Sequence, residues 1–298
     1  MDIKELDSRQ IDKLLKGITI PSPPQMVADL QIELLNPTPN LSSVAGLIAK
    51  DAGLSGGVLK AVNSPAFGLT QKVTSINEAV MLLGLKTVDA IVNTLCLRSE
   101  LSFANLPKNA QTFLNRFWDS CADIAATAAI IACHNDAGCR DEAYMLGLFH
   151  NAGIALLTAR FDNYADVMEA SYSNTNHRVV DTENEYLDTN HAVIGYFIGK
   201  SWNLPAHLCS AIAKHHSPFE LFETSSTEDE QTKNLVAILK TAEHVSGFYR
   251  VVGRQSVDHE WQSISDKVLN YLGFTQDDYE DIVSRISEMG LGTGSLYY

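Results

Sequence analysis

The sequence predicts an all-α protein, and three observations carry that prediction. Apolar residues recur at spacings of three and four in almost every segment. Strict alternation, the mark of a half-buried strand, is nearly absent. The periodic segments are also bounded by ordinary helix caps, among them Ser8 before the first, Gly17 after it and a Ser75/Glu78 pair further on. Hydrophobic residues make up 45% of the 298 and charged residues 19%, the balance of a globular chain with enough apolar side chain for a large core. That length exceeds a usual single domain and suits two packed parts.

The first helix is expected over residues 8–16. PSPP at 21–24 forces an extended turn and pre-sets φ for a second helix over 24–35. Helices follow over 41–50 and 54–62, and NSPAFG at 63–68 breaks the chain with proline and glycine. Ser75 and Glu78 then open a short helix through AVMLLG, which Gly84 separates from a longer one over 86–100. These elements form an N-terminal bundle, residues 1–105. LPKNA at 106–110 is polar and proline-bearing between two long apolar-periodic segments, so a second helical part is expected over 106–298. Its helices are expected at 111–134, 141–158, 161–173, 179–187, 190–201, 205–215, 232–252, 258–271 and 276–288. The stretch 217–231 reads as a surface loop.

The formal charge of −14 repels a phosphate backbone, so broad nucleic-acid binding is not expected. Lys86 and Arg98 on one helix read as an ordinary solvated face. Five cysteines, an odd number without a CxxC pair, read as reduced buried thiols. The N-terminus is charged from its second residue, and no apolar run approaches the ~18 residues of a membrane span. The expectation is a cytoplasmic protein with no membrane association.

Candidate chemistry begins in EAYMLGLFHNAGIALL, residues 142–157, where His150 and Asn151 sit in an otherwise apolar helix. Buried polar groups of this kind need partners. Taken alone, His150 reads as a core histidine bonded to a nearby carbonyl. Three features downstream alter that reading. His191 stands among Val193, Ile194 and Phe197. His215 and His216 end a helix whose negative C-terminal dipole favours protonated imidazole. Glu243 lies among Ile238, Leu239, Ala242 and Val245, and a buried glutamate wants a cation or a donor. Separate helices sending histidines to one centre are how a helical protein builds a metal site.

The series GLFHNAG, then H-x-x-x-G at His191 to Gly195, then WNLP followed by HH and an acidic residue in an apolar helix, resembles the HD-domain phosphohydrolase superfamily. Within it, PPQM, NSPAFG, the SINEAV run and LG resemble the HDOD (HD-related output domain) family, over residues 18 to 250. The resemblance carries a metal-site residue to Asp119, the name-giving His-Asp pair to His150 and Asn151, the later histidines to His191, His215 and His216, and the closing aspartate to Glu243. It also puts Ile154 where the cyclic-dinucleotide-cleaving HD-GYP branch has a lysine, and the GYP signature is missing after the HH pair.

A two-metal hydrolase needs a bridging carboxylate between its ions, and an asparagine supplies only a neutral oxygen. A single iron, manganese or zinc ion held by His150, His191, one of His215 or His216, and Asp119 or Glu243 remains chemically sound, with no cofactor strictly required. The resemblance implies a bacterial signalling or regulatory module with a degenerate metal site, acting on signalling proteins in trans. The alternatives are a metal-dependent phosphohydrolase and a sensor that binds a nucleotide without cleaving it. Both need phosphate-neutralising cations, for which Arg160, Arg178, Lys200 and Lys214 are the candidates nearest in sequence. The NSPAFG turn is read as a structural element that docks Phe67.

Overall fold

The computed structural model describes residues 8–101, 106–135, 138–223 and 226–291, and all regular structure among them is helical. The chain divides into two compact units, one of residues 21–102 and a larger one of residues 1–20 with 103–298. The first helix therefore groups with the larger unit, not with the 1–105 bundle that the sequence suggested.

The smaller unit holds α2 (Gln25–Leu34), α3 (Leu41–Ile48), α4 (Ala52–Val62), a 3₁₀ turn (Pro65–Phe67), α5 (Ile76–Leu83) and α6 (Leu85–Glu100). Asn40, Asp51 and Ser75 cap α3, α4 and α5 by accepting first-turn backbone N–H bonds. The core is aliphatic, with Val27, Leu30, Val44, Ile48, Val58, Val62, Val80, Val88 and Leu97 buried. Asn63 fastens the NSPAFG turn. Its amide donates to the carbonyls of Leu59 and Val73, both at 2.8 Å, and its Oδ1 accepts from the Val73 N–H at 2.8 Å. Phe67 is half-buried in this turn.

The larger unit contains α1 (Ser8–Leu15), α7 (Lys108–His134), α8 (Arg140–Phe149), α9 (Ala152–Arg160), α10 (Tyr164–Ser173), α11 (Val179–Leu187), α12 (His191–Ser201), α13 (Ala206–Lys214), α14 (Pro218–Leu221), α15 (Glu230–Ser246), α16 (Phe248–Val251), α17 (His259–Leu272) and α18 (Gln276–Glu288). The 27-residue α7 is the spine against which α8 and α15 pack. Within the same unit α1 reaches α12, and Lys16 bonds Asp188 at 2.9 Å just before α12.

Three expectations differ in detail. The helix expected over 141–158 breaks at His150–Asn151, which lie between α8 and α9. The helix expected over 232–252 breaks at Gly247, whose φ of 72° ends α15 in the left-handed region. The loop expected over 217–231 holds the short α14, and its residues 224 and 225 lie outside the described ones. All five cysteines are free, but Cys133 is exposed, since it falls on the outer side of α7 near its end. Among the described residues no single helix is long and apolar enough to cross a membrane.

Candidate metal centre

Close helix packing builds the site. A Cβ on Gly147 would lie 2.5 Å from the Ala125 Cα, and one on Gly153 would lie 2.1 Å from the His191 carbonyl oxygen. Glycine at these two places lets α8 lie against α7 and α9 against the start of α12. That approach brings the α8–α9 break, and with it His150 and Asn151, toward α12. Asn190 caps α12 by accepting the Val193 N–H at 2.9 Å, which sets His191 at the first helical position.

His150, Asn151, His191 and His215 have no exposed surface, and His216 only 1%. Each of the four imidazoles is fixed through Nδ1. His150 Nδ1 lies 3.2 and 3.0 Å from the carbonyls of Leu146 and Gly147, and His215 Nδ1 lies 2.7 Å from that of Ile212. A carbonyl can only accept, so these two nitrogens carry the proton. His191 Nδ1 lies 2.5 Å from Glu183 Oε2, and His216 Nδ1 lies 2.8 Å from Glu260 Oε1. In the neutral form of every ring the lone pair is then on Nε2, and outer acceptors of this kind are what orient metal-ligating histidines.

Three of the four rings converge. His191 Nε2 and His215 Nε2 are 3.2 Å apart, and ligand atoms of His191, His215 and His216 all lie within 4.8 Å of one another. His150 Nε2 lies 3.2 Å from Glu243 Oε1, yet neither atom has a well-directed hydrogen bond, nor does His216 Nε2 or either amide atom of Asn151. Leaving one buried polar atom unsatisfied costs about 1–3 kcal/mol. A cluster of such atoms with their lone pairs turned inward fits a divalent ion.

Charge points the same way. Glu243 and Glu260 stand against one ammonium, that of Lys240, which is buried and lies 2.6 Å from both Glu243 Oε2 and Glu260 Oε2, while Glu183 faces His191. Burial opposes the charge on Lys240, but the two carboxylates outweigh it and hold its pKa above the ordinary lysine range. Burial would likewise raise Glu243, but Lys240 and then His150 hold it well below the usual carboxylate value. Burial pushes Glu260 up, with Lys240 offsetting part of the rise. His215 and His216 are held well below the usual imidazole value, by burial first and then by His216 and Lys240 respectively. The helix-dipole expectation of protonated imidazoles at this end of α13 is therefore reversed, because desolvation exceeds the dipole term.

Of the residues singled out from the sequence, the structure brings together His150, His191, His215, His216 and Glu243, with Asn151 buried at the next position after His150. Asp119 is not brought in: it lies on the exposed side of α7. Two positions on, Cys121 is fully buried, its thiol pushed well up by burial and then by the charge of Glu243. The sequence reading missed Glu183, Lys240 and Glu260. Glu183 was legible, since it shares the buried face of α11 with Val179 and Leu187 at helical spacing. Lys240 was legible as the lone lysine within the run Leu235–Glu243, every residue of which is buried. Glu260 looks like an ordinary first-turn acid, and only the packing of α17 on α15 reveals it.

The buried centre borders open space on one side. A cleft of about 390 Å³ takes His216 and Glu260 as part of its wall, together with Tyr172, Arg178, Phe219 and His259. Arg178 is already engaged there by Asp181 at 2.8 Å and Glu220 at 3.2 Å, and Lys214 pairs with Glu228. Ile154, at the position of the HD-GYP lysine, is wholly buried.

A helical body that gathers histidines from the end of α8, the start of α12 and the end of α13, with a carboxylate from α15, defines an HD-like domain. More narrowly, the chain belongs to the HDOD domain family, whose profile matches residues 20–218. An HDOD domain protein of unknown function from Geobacter sulfurreducens has a similar structure, with TM-score 0.66 and 20% identity over 93% of this chain and 92% of its own. A protein from Shewanella amazonensis SB2B named as a phosphohydrolase matches with TM-score 0.66 and 20% identity over 94% and 96%. One from Marinobacter aquaeolei VT8 named for signal transduction matches with TM-score 0.62 and 18% identity over 93% and 61%. These likenesses establish the fold. An uncharacterised protein of Treponema pallidum (strain Nichols) is 26% identical over 201 residues, 66% of this chain but 38% of that protein's length.

Proposed function

We propose that this chain is a bacterial signalling module whose HD-like centre holds one divalent iron, manganese or zinc ion, and which acts on signalling proteins in trans rather than by turning over a phosphodiester. The observation that carries the metal reading is the convergence of His191, His215 and His216, whose ligand atoms lie within 4.8 Å of one another while the Nδ1 atoms already have partners, with the His150–Glu243 pair beside them. His150, His191, His215, His216 and Glu243 would hold the ion. When bound, it would neutralise carboxylate charge and could act as a Lewis acid toward a ligand entering past His216. Two residues argue against two-metal hydrolysis: Asn151 has no charge to bridge ions, and Lys240 already engages Glu243. Exposed Ile32, Leu35, Met81 and Leu82 on the 21–102 unit support a partner-binding role, and five free thiols suit a cytoplasmic setting.

The second reading is a phosphohydrolase or a nucleotide-binding sensor, and the cleft that reaches His216 favours it. Its weakness is charge, since Arg178 is balanced by two carboxylates. Elemental analysis of untagged protein, purified without chelator, tests the metal claim against a His150→Ala/His191→Ala variant checked for folding. About one ion per chain, lost in the variant, is expected. No ion in the native protein, and none taken up on reconstitution, would sink it. Phosphodiester and nucleotide screens on the loaded protein separate the two readings, with no turnover expected.

A further inference from the structure

Two carboxylates on different helices sharing one cation is the arrangement by which proteins hold bridging metal ions. Here α15 and α17 supply Glu243 and Glu260, but the shared cation is the Lys240 ammonium, 2.6 Å from an oxygen of each. Lys240 stands three residues before Glu243 on the same helix, so it reaches the carboxylate from one turn away. A small cavity of about 10 Å³, room for one water-sized group, adjoins all three side chains and is also walled by Tyr172 and Asp258.

We propose that the Lys240 ammonium is a built-in replacement for a second divalent ion, so that the HD-like centre is restricted to one metal on its histidine side. This takes from the proposed function only the idea that the cluster binds divalent ions. The consequences for the neighbouring groups are specific. Glu243 Oε2 is taken by Lys240, which leaves Oε1 to face His150 Nε2. Glu260 is taken twice over, by Lys240 and by the His216 Nδ1 proton, and so cannot turn inward without releasing both. An ammonium brings one charge where a divalent ion would bring two, and it offers no open coordination position for a water. Next to His150 in the chain stands the amide of Asn151 instead of a carboxylate that could bridge two ions. The two features act together against a dinuclear site.

Removing the ammonium should convert the Glu243–Glu260 pair into a cation site. The test counts manganese bound by wild type, Lys240→Ala and Lys240→Gln after loading and desalting, and records the Mn(II) electron paramagnetic resonance spectrum of each. Lys240→Gln guards against loss of folding in the alanine variant, because its amide still donates to the carboxylates. The variants should bind about one ion per chain more than wild type, their spectrum changing from that of an isolated ion to that of a spin-coupled pair. Their melting temperature should also rise more with added manganese than that of wild type. Equal ion counts in wild type and variants, or two ions in wild type, would overturn the proposal. An ion-free wild type beside a variant that binds one would uphold the role of Lys240 while removing the metal from the native protein. Ion-free wild type and variants would end both readings.

Discussion

In the 21–102 unit the buried polar residues are Thr87, Asn93 and Thr94, all on α6, with half-buried Asp89 beside them; the larger unit instead buries four histidines, two glutamates and a lysine around one point. Exposed apolar side chains are distributed the other way. Among the described residues Ile32, Leu35, Leu41, Leu69, Met81 and Leu82 belong to the smaller unit, and Tyr186, Phe219 and Val257 to the larger. One unit has a conventional core and an apolar surface, and the other a conventional surface and a charged interior. A polar interior needs exact helix placement, whereas an aliphatic core tolerates small adjustments.

Glycine substitutions should break that symmetry most sharply. In Gly153→Ala the new Cβ would meet the His191 carbonyl at 2.1 Å, and no side-chain rotation relieves a backbone contact. The cost expected in urea denaturation is about 3 kcal/mol or more, with metal uptake lost because α12 must retreat from α9. A variant as stable as wild type would mean that the two helices separate freely, and the close-packing account of the site would fail.

Proton linkage gives a second contrast, of opposite sign in the two units. In metal-free protein His215 and His216 are held below their ordinary value of 6.5. Below that pH the unfolded chain takes up protons that the native state refuses. The larger unit should therefore lose stability as pH falls through 6.5, by up to about 1.4 kcal/mol per pH unit for each group. Asp89 is the reverse. Burial, partly offset by Asn93, raises it from 3.8 to about 6, so between those values the native state holds a proton that the unfolded chain has released. The smaller unit should gain stability as pH falls from 6 toward 4. Amide hydrogen exchange at pH 7.5 and 5.5, corrected for intrinsic rates, should show α13 less protected and α6 more protected at the lower pH. Parallel changes in both helices would remove the contrast.

The same division explains what could be read from sequence. The aliphatic bundle follows helical periodicity and cap residues, so its elements were placed closely, the turn at Asn63 included. The histidines and Glu243 stood out because each interrupts an apolar helical face. Asp119 was misplaced because the resemblance fixed the helix but not its rotation, and a shift of two positions turns a side chain by about 200°. Glu183 and Lys240 carried the same periodic signal as Glu243 and were passed over, since neither matched an expected ligand. Glu260 carried none, because its burial depends on α17 folding back onto α15. The break between His150 and Asn151 was also hidden, because an apolar run continues through it and only the tertiary contact with α12 favours ending α8 there.

The smallest effect expected should have the opposite sign to that of Gly153. Gly46 lies within α3 on the exposed side, and a Cβ there would meet no atom within 4 Å. Alanine at that position removes backbone freedom from the unfolded chain and costs no packing. Gly46→Ala should therefore stabilise the smaller unit by about 0.5–1 kcal/mol, seen as slower exchange of α3 amides. It should leave metal content unchanged, since α3 contributes nothing to the centre. The same glycine helps wall a groove with Ile32, Leu47 and Lys50 between α2 and α3. If Gly46→Ala instead weakened capture of a signalling partner while raising stability, that groove would be in use, and the apolar surface of this unit would have a location for its role.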